Sequence, residues 1–233
     1  LIDCVGFMVE GATGHMEDEK ERMVKTPWFD YEIPFSKAAE IGTQKVISEH
    51  STIGIVITCD GSFTDLSVEE YNKALDRTVR ELNSINKPFI ILVNSLNPES
   101  AECIRLKEEI SQKYNVSTLA VNCLRLNEKN VNEIMENILF EFPVTEIVFN
   151  VPKWLEIMDQ EHSLMKYIVE FSRNILNKII RIKDIKNLKL EPDQEYMNSA
   201  QMASVELSNG KLMLNYDIDD SYYYKTLTEM TGT

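Results

Sequence analysis

Basic charge is in short supply in this sequence. Lys and Arg number 24 against 38 Asp and Glu, for a net charge of −14 and a pI near 4.7. A surface that acidic repels DNA, RNA and anionic lipid unless a local basic patch overrides it, so no nucleic-acid partner is expected. No apolar run approaches the ~20 residues needed to span a bilayer, and no transmembrane segment is expected. The three histidines, His15, His50 and His162, are too scattered to suggest a metal site. Cys4, Cys59, Cys103 and Cys123 show no C-x-x-C spacing, and two of them end apolar runs. They read as reduced thiols of a cytosolic protein. No signal peptide is visible in a sequence that opens without Met. Repeats and low-complexity tracts are absent as well. What is present is an apolar content of 43% in 233 residues, enough for a proper core in one or two domains.

Residues 7–34 read as a long polar loop punctuated by Gly11, Gly14, Pro27 and Pro34. Apolar positions at helical spacing then predict a helix to about Glu49. "TIGIVITCDGS", "KPFIILVNSLNP" and "VSTLAVNC" are continuous apolar runs stopped by polar or turn residues, as in strands buried on both faces. Between them lie two helical stripes, the first opened by a capping box at Ser67 and Glu70. A fourth stripe holds Val131, Ile134, Met135, Ile138 and Leu139. Such alternation predicts an α/β fold, a parallel sheet with helices on both faces. The pattern changes after Pro143. One long amphipathic helix is expected from Trp154 to about Ile182, then two strands around Asn209-Gly210 and a last helix carrying Tyr222, Tyr223 and Tyr224. The expected domains are 1–150 and a small α+β domain at 151–233.

Ligands of open parallel sheets bind at the carboxyl ends of the strands. Here those ends are small or polar: Asp3-Cys4-Val5-Gly6, Cys59-Asp60-Gly61, Asn94-Ser95-Leu96-Asn97 and Asn122-Cys123. Asp3 to Gly6 has the form D-x-x-G. At a strand end its carboxylate could hold Mg²⁺ through water while the Gly6 N–H meets a γ-phosphate; the plain alternative is a strand closing in an Asx-turn. Where guanine-binding proteins place N-K-x-D, this chain has Asn94, Ser95, Leu96 and Asn97. An Asn amide both donates and accepts, so it cannot replace the double-acceptor carboxylate, and adenine is the better guess. The alternative is a polar turn before Pro98. Phe7 stands where many such proteins carry a water-orienting Gln, leaving Glu10, Thr13, His15, Arg22 and Lys25 as loop candidates. Gly6 to Gly11 has the outline of a phosphate loop but lacks the Lys-Ser/Thr that follows it.

The stretches "LIDCVGFMVEGATGH", "RMVKTPWFDYEIPFSKAAEIGTQKVISEHSTIGIVITCDGS", "KPFIILVNSLNP", "LAVNCLRL" and "FPVTEIVFNVPKW" resemble the stage IV sporulation protein A family, strongly over residues 1–155 and more loosely beyond. The resemblance implies an incomplete P-loop NTPase sheet of the GTPase-related class, followed by a middle domain. It implies ATP and Mg²⁺ as cofactors, with Asp3 as the Walker B aspartate and metal ligand. Gly6, Asn94, Ser95, Asn97 and Cys123 are the candidate nucleotide-binding residues. It also implies ATP-driven self-assembly into the basement layer of the spore coat, in the mother-cell cytoplasm at the outer forespore membrane. The implied partners are further copies of the protein, spore-coat proteins and a small amphipathic membrane-anchoring peptide, stage V sporulation protein M. The Walker A lysine and the switch threonines are expected before Leu1, and the assembly region after Thr233, so hydrolysis by this piece alone is not expected. A purely structural scaffold and a GTP-dependent regulatory switch are the competing readings. In sheets of this class the strand leading into the phosphate loop lies between the strand ending at Asp3 and residues 53–58. Those residues should therefore show an unpaired edge, to be covered by another chain or by the loop at 7–34.

Overall fold

A computed structural model describes residues 2–18 and 20–231. Residues 7–34 are not one loop. Strand β1 (Met16–Glu17) pairs with β2 (Lys20–Glu21), and β3 (Met23–Thr26) pairs antiparallel with β4 (Phe29–Pro34). Strand β3 alternates exposed and half-buried positions, and Val24 lies opposite Ile33 across the second hairpin. Strands this short, set among Gly and Pro, are hidden by the turn residues that join them. Pro34 ends β4 and stands directly before α1 (Phe35–Lys45), which runs on as a π-type turn (Val46–His50).

The expected alternation follows: β5 (Gly54–Cys59), α2 (Val68–Ser84), β6 (Phe89–Asn94), α3 (Ala101–Tyr114), β7 (Thr118–Val121) and α4 (Glu128–Phe140). The sheet order is β5-β6-β7 and every pairing is parallel. Central β6 is apolar throughout because both of its faces are covered; Phe89, Ile90, Ile91 and Val93 are fully buried. Leu75, Val79 and Leu82 of α2 and Cys103 and Ile110 of α3 pack on Phe89, Ile91 and Val93. Capping fixes each helix start. Ser67 and Glu70 form the expected capping box, and Ser100 accepts the Cys103 N–H. Glu141, fully buried at the end of α4, accepts the Ser117 N–H at 2.7 Å, so α4 runs back against the strands to the amino end of β7.

The expected strand at the start of the chain is not seen. Leu1 lies outside the described residues, and residues 2–5 are unpaired, with Ile2 and Val5 more than half exposed. An extended segment becomes a strand only when a neighbour takes its N–H and C=O groups, and no described residue does so here. The outer edge of β5 likewise has no strand partner among the described residues.

The chain divides into Leu1–Glu141 and Phe142–Thr233, nine residues before the boundary expected at 150. Strand β8 (Glu146–Asn150) joins the second unit because it pairs parallel with β10 (Lys211–Asp217), which pairs antiparallel with β9 (Ser199–Glu206). The expected long helix is broken as well. Residues Lys153–Ile157 form a 3₁₀ turn, α5 spans Ser163–Leu176 and α6 only Ile182–Ile185. Asp159 and His162 supply the break, the Asp159 carboxylate accepting the Glu161 N–H and His162 Nδ1 that of Leu164. Past Asn177 the backbone bonds to residues 142–144 instead: the Val144 N–H donates to the Ile180 carbonyl and the Ile182 N–H to that of Phe142. Period alone cannot report a helix whose apolar stripe continues through a break. Tyr216 of β10 is buried between Phe149 and Phe171, with its hydroxyl 3.0 Å from Ser172 Oγ. Helix α7 (Ser221–Thr231) closes the unit.

Candidate functional site

The carboxyl ends of β5, β6 and β7 are tied into one rim. Asp60 Oδ1 accepts from the Ser62 N–H at 3.0 Å and from its hydroxyl, and Ser62 Oγ in turn accepts the Leu96 N–H at 2.9 Å. Partial burial alone would push the Asp60 carboxyl up. Hydrogen bonds from the Ser62 and Ser95 hydroxyls outweigh this and hold it below the usual carboxylate range. Ser95 is fully buried and accepts the Asn97 N–H at 3.0 Å. Asn94 Oδ1 accepts the Cys123 N–H at 3.0 Å, and Asn122 Nδ2 donates to the Leu96 carbonyl at 3.3 Å.

The structure thus brings Asn94, Ser95, Asn97 and Cys123 together but gives them different tasks. Ser95 is inside and shapes the turn. The side-chain oxygen of Asn94 is committed to the loop after β7. Asn97 is exposed at the mouth of the rim, and Cys123 is partly buried, with burial pushing its thiol up. Leu96 and Leu124 also stand exposed on this rim, at 57% and 80%.

Asp3 and Gly6 lie elsewhere on the first unit. Residues 2–7 form one wall of a slot of about 390 Å³ whose other wall is β5. Gly6 has φ +84°, a left-handed conformation that favours glycine, and a Cβ there would meet nothing within 4 Å. The glycine of D-x-x-G is therefore demanded by the backbone and not by crowding, and its surroundings stay open. Among the described residues neither Asp3 nor Gly6 hydrogen-bonds to the rim at Asn94 to Asn97. A second cavity of about 440 Å³, lined by Asp3, Trp28 and Thr43, adjoins α1. The hydroxyls of Thr26 and Thr43 are buried there with no hydrogen-bond partner among the described residues.

Phe7 points inward. It is buried, and the Arg77 guanidinium sits 4.5 Å from its ring centroid while pairing with Glu40. This pins the segment that follows Gly6 to α2. No local signal could have shown it, because the partners lie far apart in sequence. Two of the loop candidates are engaged elsewhere: Glu10 pairs with Lys73 at 2.5 Å, and Arg22 lies over the Phe35 ring. Sequence reasoning missed Ser62 at the rim, although Asp-Gly-Ser after a strand is a recognisable Asx-turn pattern. All four cysteines are free thiols, and no cluster of three or more metal-ligating side chains occurs among the described residues.

A three-stranded parallel sheet with a polar carboxyl-end rim, and apart from that rim a D-x-x-G segment facing an open slot, defines an α/β protein of the open parallel-sheet class. Residues 1–143 match the family described as stage IV sporulation protein A, ATPase domain, and residues 144–233 match the middle domain of the same protein. The chain belongs to the stage IV sporulation protein A family. It is 38% identical over its full length to stage IV sporulation protein A of Clostridioides difficile (strain 630) and 36% identical to that of Bacillus subtilis (strain 168). It covers 48% and 47% of those proteins, so the chain spans about half the length of the curated relatives it matches. No solved structure matches. No helix among the described residues is long and apolar enough to cross a membrane.

Proposed function

We propose that the first unit is the strand-end half of an ATP site, in a P-loop sheet of the GTPase-related class whose phosphate cradle comes from sequence outside this chain. The observation that carries the reading is the placement of Asp3 and Gly6 across an open slot from β5, in a stretch that matches an ATPase domain. In this reading Asp3, an exposed carboxylate, would hold Mg²⁺. The Gly6 N–H, at a residue held in left-handed backbone, would donate to the γ-phosphate. Asn97 and Cys123 face the base, while Asn94 and Ser95 hold the rim in shape from behind. Mg²⁺ held there would supply charge neutralisation to the phosphates. Phe7 cannot orient the attacking water, and its burial under Arg77 removes it from that task.

Hydrolysis then drives self-assembly of the spore-coat basement layer in the mother cell, at the outer forespore membrane. Further copies of the protein, coat proteins and the amphipathic stage V sporulation protein M are the partners. Family membership supports a sporulation role for the whole protein. A GTP-dependent switch is disfavoured by Asn97, which lacks the two acceptors guanine requires. Calorimetry of the intact protein with Mg–ATP and with Mg–GTP tests the site. Tighter ATP binding, lost on removal of Mg²⁺, is expected. Tighter GTP binding overturns the assignment of the base rim.

A further inference from the structure

Among the described residues, Phe7 is the first buried one. Residues 2–5 are exposed, and a Cβ on Gly6 would meet nothing within 4 Å. Packing around Gly6 does not place it, so its position is set by the residues that follow. Those residues lie along one stripe of α2. The Arg77 guanidinium stands 4.5 Å from the Phe7 ring centroid, and Glu10 pairs with Lys73. A Cβ on Gly11, at φ +82°, would meet Glu70 Oε1 at 3.2 Å. Residues 70, 73 and 77 share one face of the helix. The loop runs antiparallel to α2: residues 7–11 cover the helix from residue 77 back to residue 70, roughly 10 Å at the helical rise.

These contacts are unequal. Lys73 and Glu10 are both largely exposed, and such a pair adds little. Arg77 is more committed. Its guanidinium lies over a ring only 7% exposed and also bonds Glu40 of α1, which takes Lys37 at 3.2 Å as well. Hydrogen bonds from Arg77 and then Lys37 hold the Glu40 carboxyl below the usual carboxylate range. A cation over an aromatic face is worth most where water is excluded from the pair. Arg77 thus ties three segments together: the loop after Gly6, α2 and α1. Phe7 is joined to Gly6 by one planar peptide unit, so a shift of Phe7 is passed directly to Gly6. A displacement of about 1 Å at a group that meets the reacting phosphate can cost roughly 100-fold in rate.

We propose that Arg77 is a positioning residue for ATP hydrolysis: it clamps Phe7 against α2 and so fixes the Gly6 N–H where the γ-phosphate is met. This deepens the reading of Asp3 and Gly6 as the γ-phosphate end of an ATP site and rests on it. The test uses the intact protein with Arg77→Met and Phe7→Leu, alone and together, which remove the guanidinium or the ring while leaving an apolar side chain in place. ATP turnover and Mg–ADP affinity are measured for each, because ADP lacks the phosphate that Gly6 would meet. Each single variant should lose at least about fivefold in kcat while Mg–ADP affinity stays within about twofold of wild type, and the double variant should lose no more than the worse single. A smaller loss in kcat overturns the proposal. So does Mg–ADP affinity that falls along with turnover, which would make Arg77 a general support of the fold. A double variant whose loss is the product of the two single losses overturns it too, because the residues would then act independently. Should Arg77→Met not fold, Phe7→Leu decides by the same two readouts. Wild-type protein that binds no Mg–ATP overturns the ATP reading itself, whereas turnover by wild type and variants alike overturns the role of Arg77 alone.

Discussion

The side-chain oxygen of Asn94 accepts the backbone N–H of Cys123 at 3.0 Å, joining the end of β6 to the loop after β7. A residue that sequence places against a nucleotide base is thereby a strut of the rim. Asn94→Ala should lower the unfolding free energy without nucleotide by roughly 0.5–1.5 kcal/mol, the usual worth of one such bond. Urea unfolding of the apo protein measures this. Unchanged stability together with weakened ATP binding would put Asn94 on the base instead.

Asn97 is the exposed member of the same turn. Asn97→Asp in the intact protein should raise GTP affinity, since the carboxylate supplies the two acceptors that guanine needs. A bidentate contact to a base is typically worth ~1–3 kcal/mol. Competition of Mg–GTP against Mg–ATP gives the readout, and an unchanged ratio removes Asn97 from the base site.

Asp3 is exposed and carries no core packing. Asp3→Ala should therefore abolish ATP hydrolysis by the intact protein while leaving its thermal melting unchanged. Full turnover in the variant would take Asp3 out of the site, and a lowered melting temperature would assign it to the local turn.

The N–H groups of Ile55 and Ile57 face the slot. In the intact protein they should exchange slowly with deuterium, at a rate independent of protein concentration. Slowing only at high concentration would mean that a second copy covers this edge; fast exchange in a monodisperse monomer would mean that nothing does.

Burial pushes the Tyr216 hydroxyl up to about 12, and its bond to Ser172 only partly offsets this. Its raised folded-state value means that the neutral phenol is favoured in the native protein. The associated stability is complete below the ordinary tyrosine value near 10 and declines as pH rises toward about 12. Tyr216→Phe should flatten that part of the stability–pH curve, as read by urea midpoints between pH 9 and pH 12. An equally steep decline in the variant would rule out Tyr216 as its source.

Much was legible from local pattern alone. The runs at β5, β6 and β7 are apolar because both faces of a parallel sheet can be covered, and Ser67 and Ser100 mark helix starts by bonds to residues three positions away. The polar strand ends were legible as one rim because the residues that stop an apolar run sit where the strands end. The hairpins at 16–34 and the break at Asp159 escaped because a short turn and a helix interruption leave the periodicity on either side intact.

Other features depended on partners distant in sequence, and only the tertiary structure decided them. Which residues of α4 are core and which are bare depends on where the sheet beneath ends; Ile134 and Met135 are neighbours in one stripe, yet one is buried and the other exposed. Phe7 is held by Arg77, and Asn94 by Cys123. Residues 2–5 show no strand because a strand is a relation between two segments, so no single run of residues contains it. Local bonds and periodicity are written into the order of the residues, whereas burial and pairing are properties of the neighbours that folding supplies.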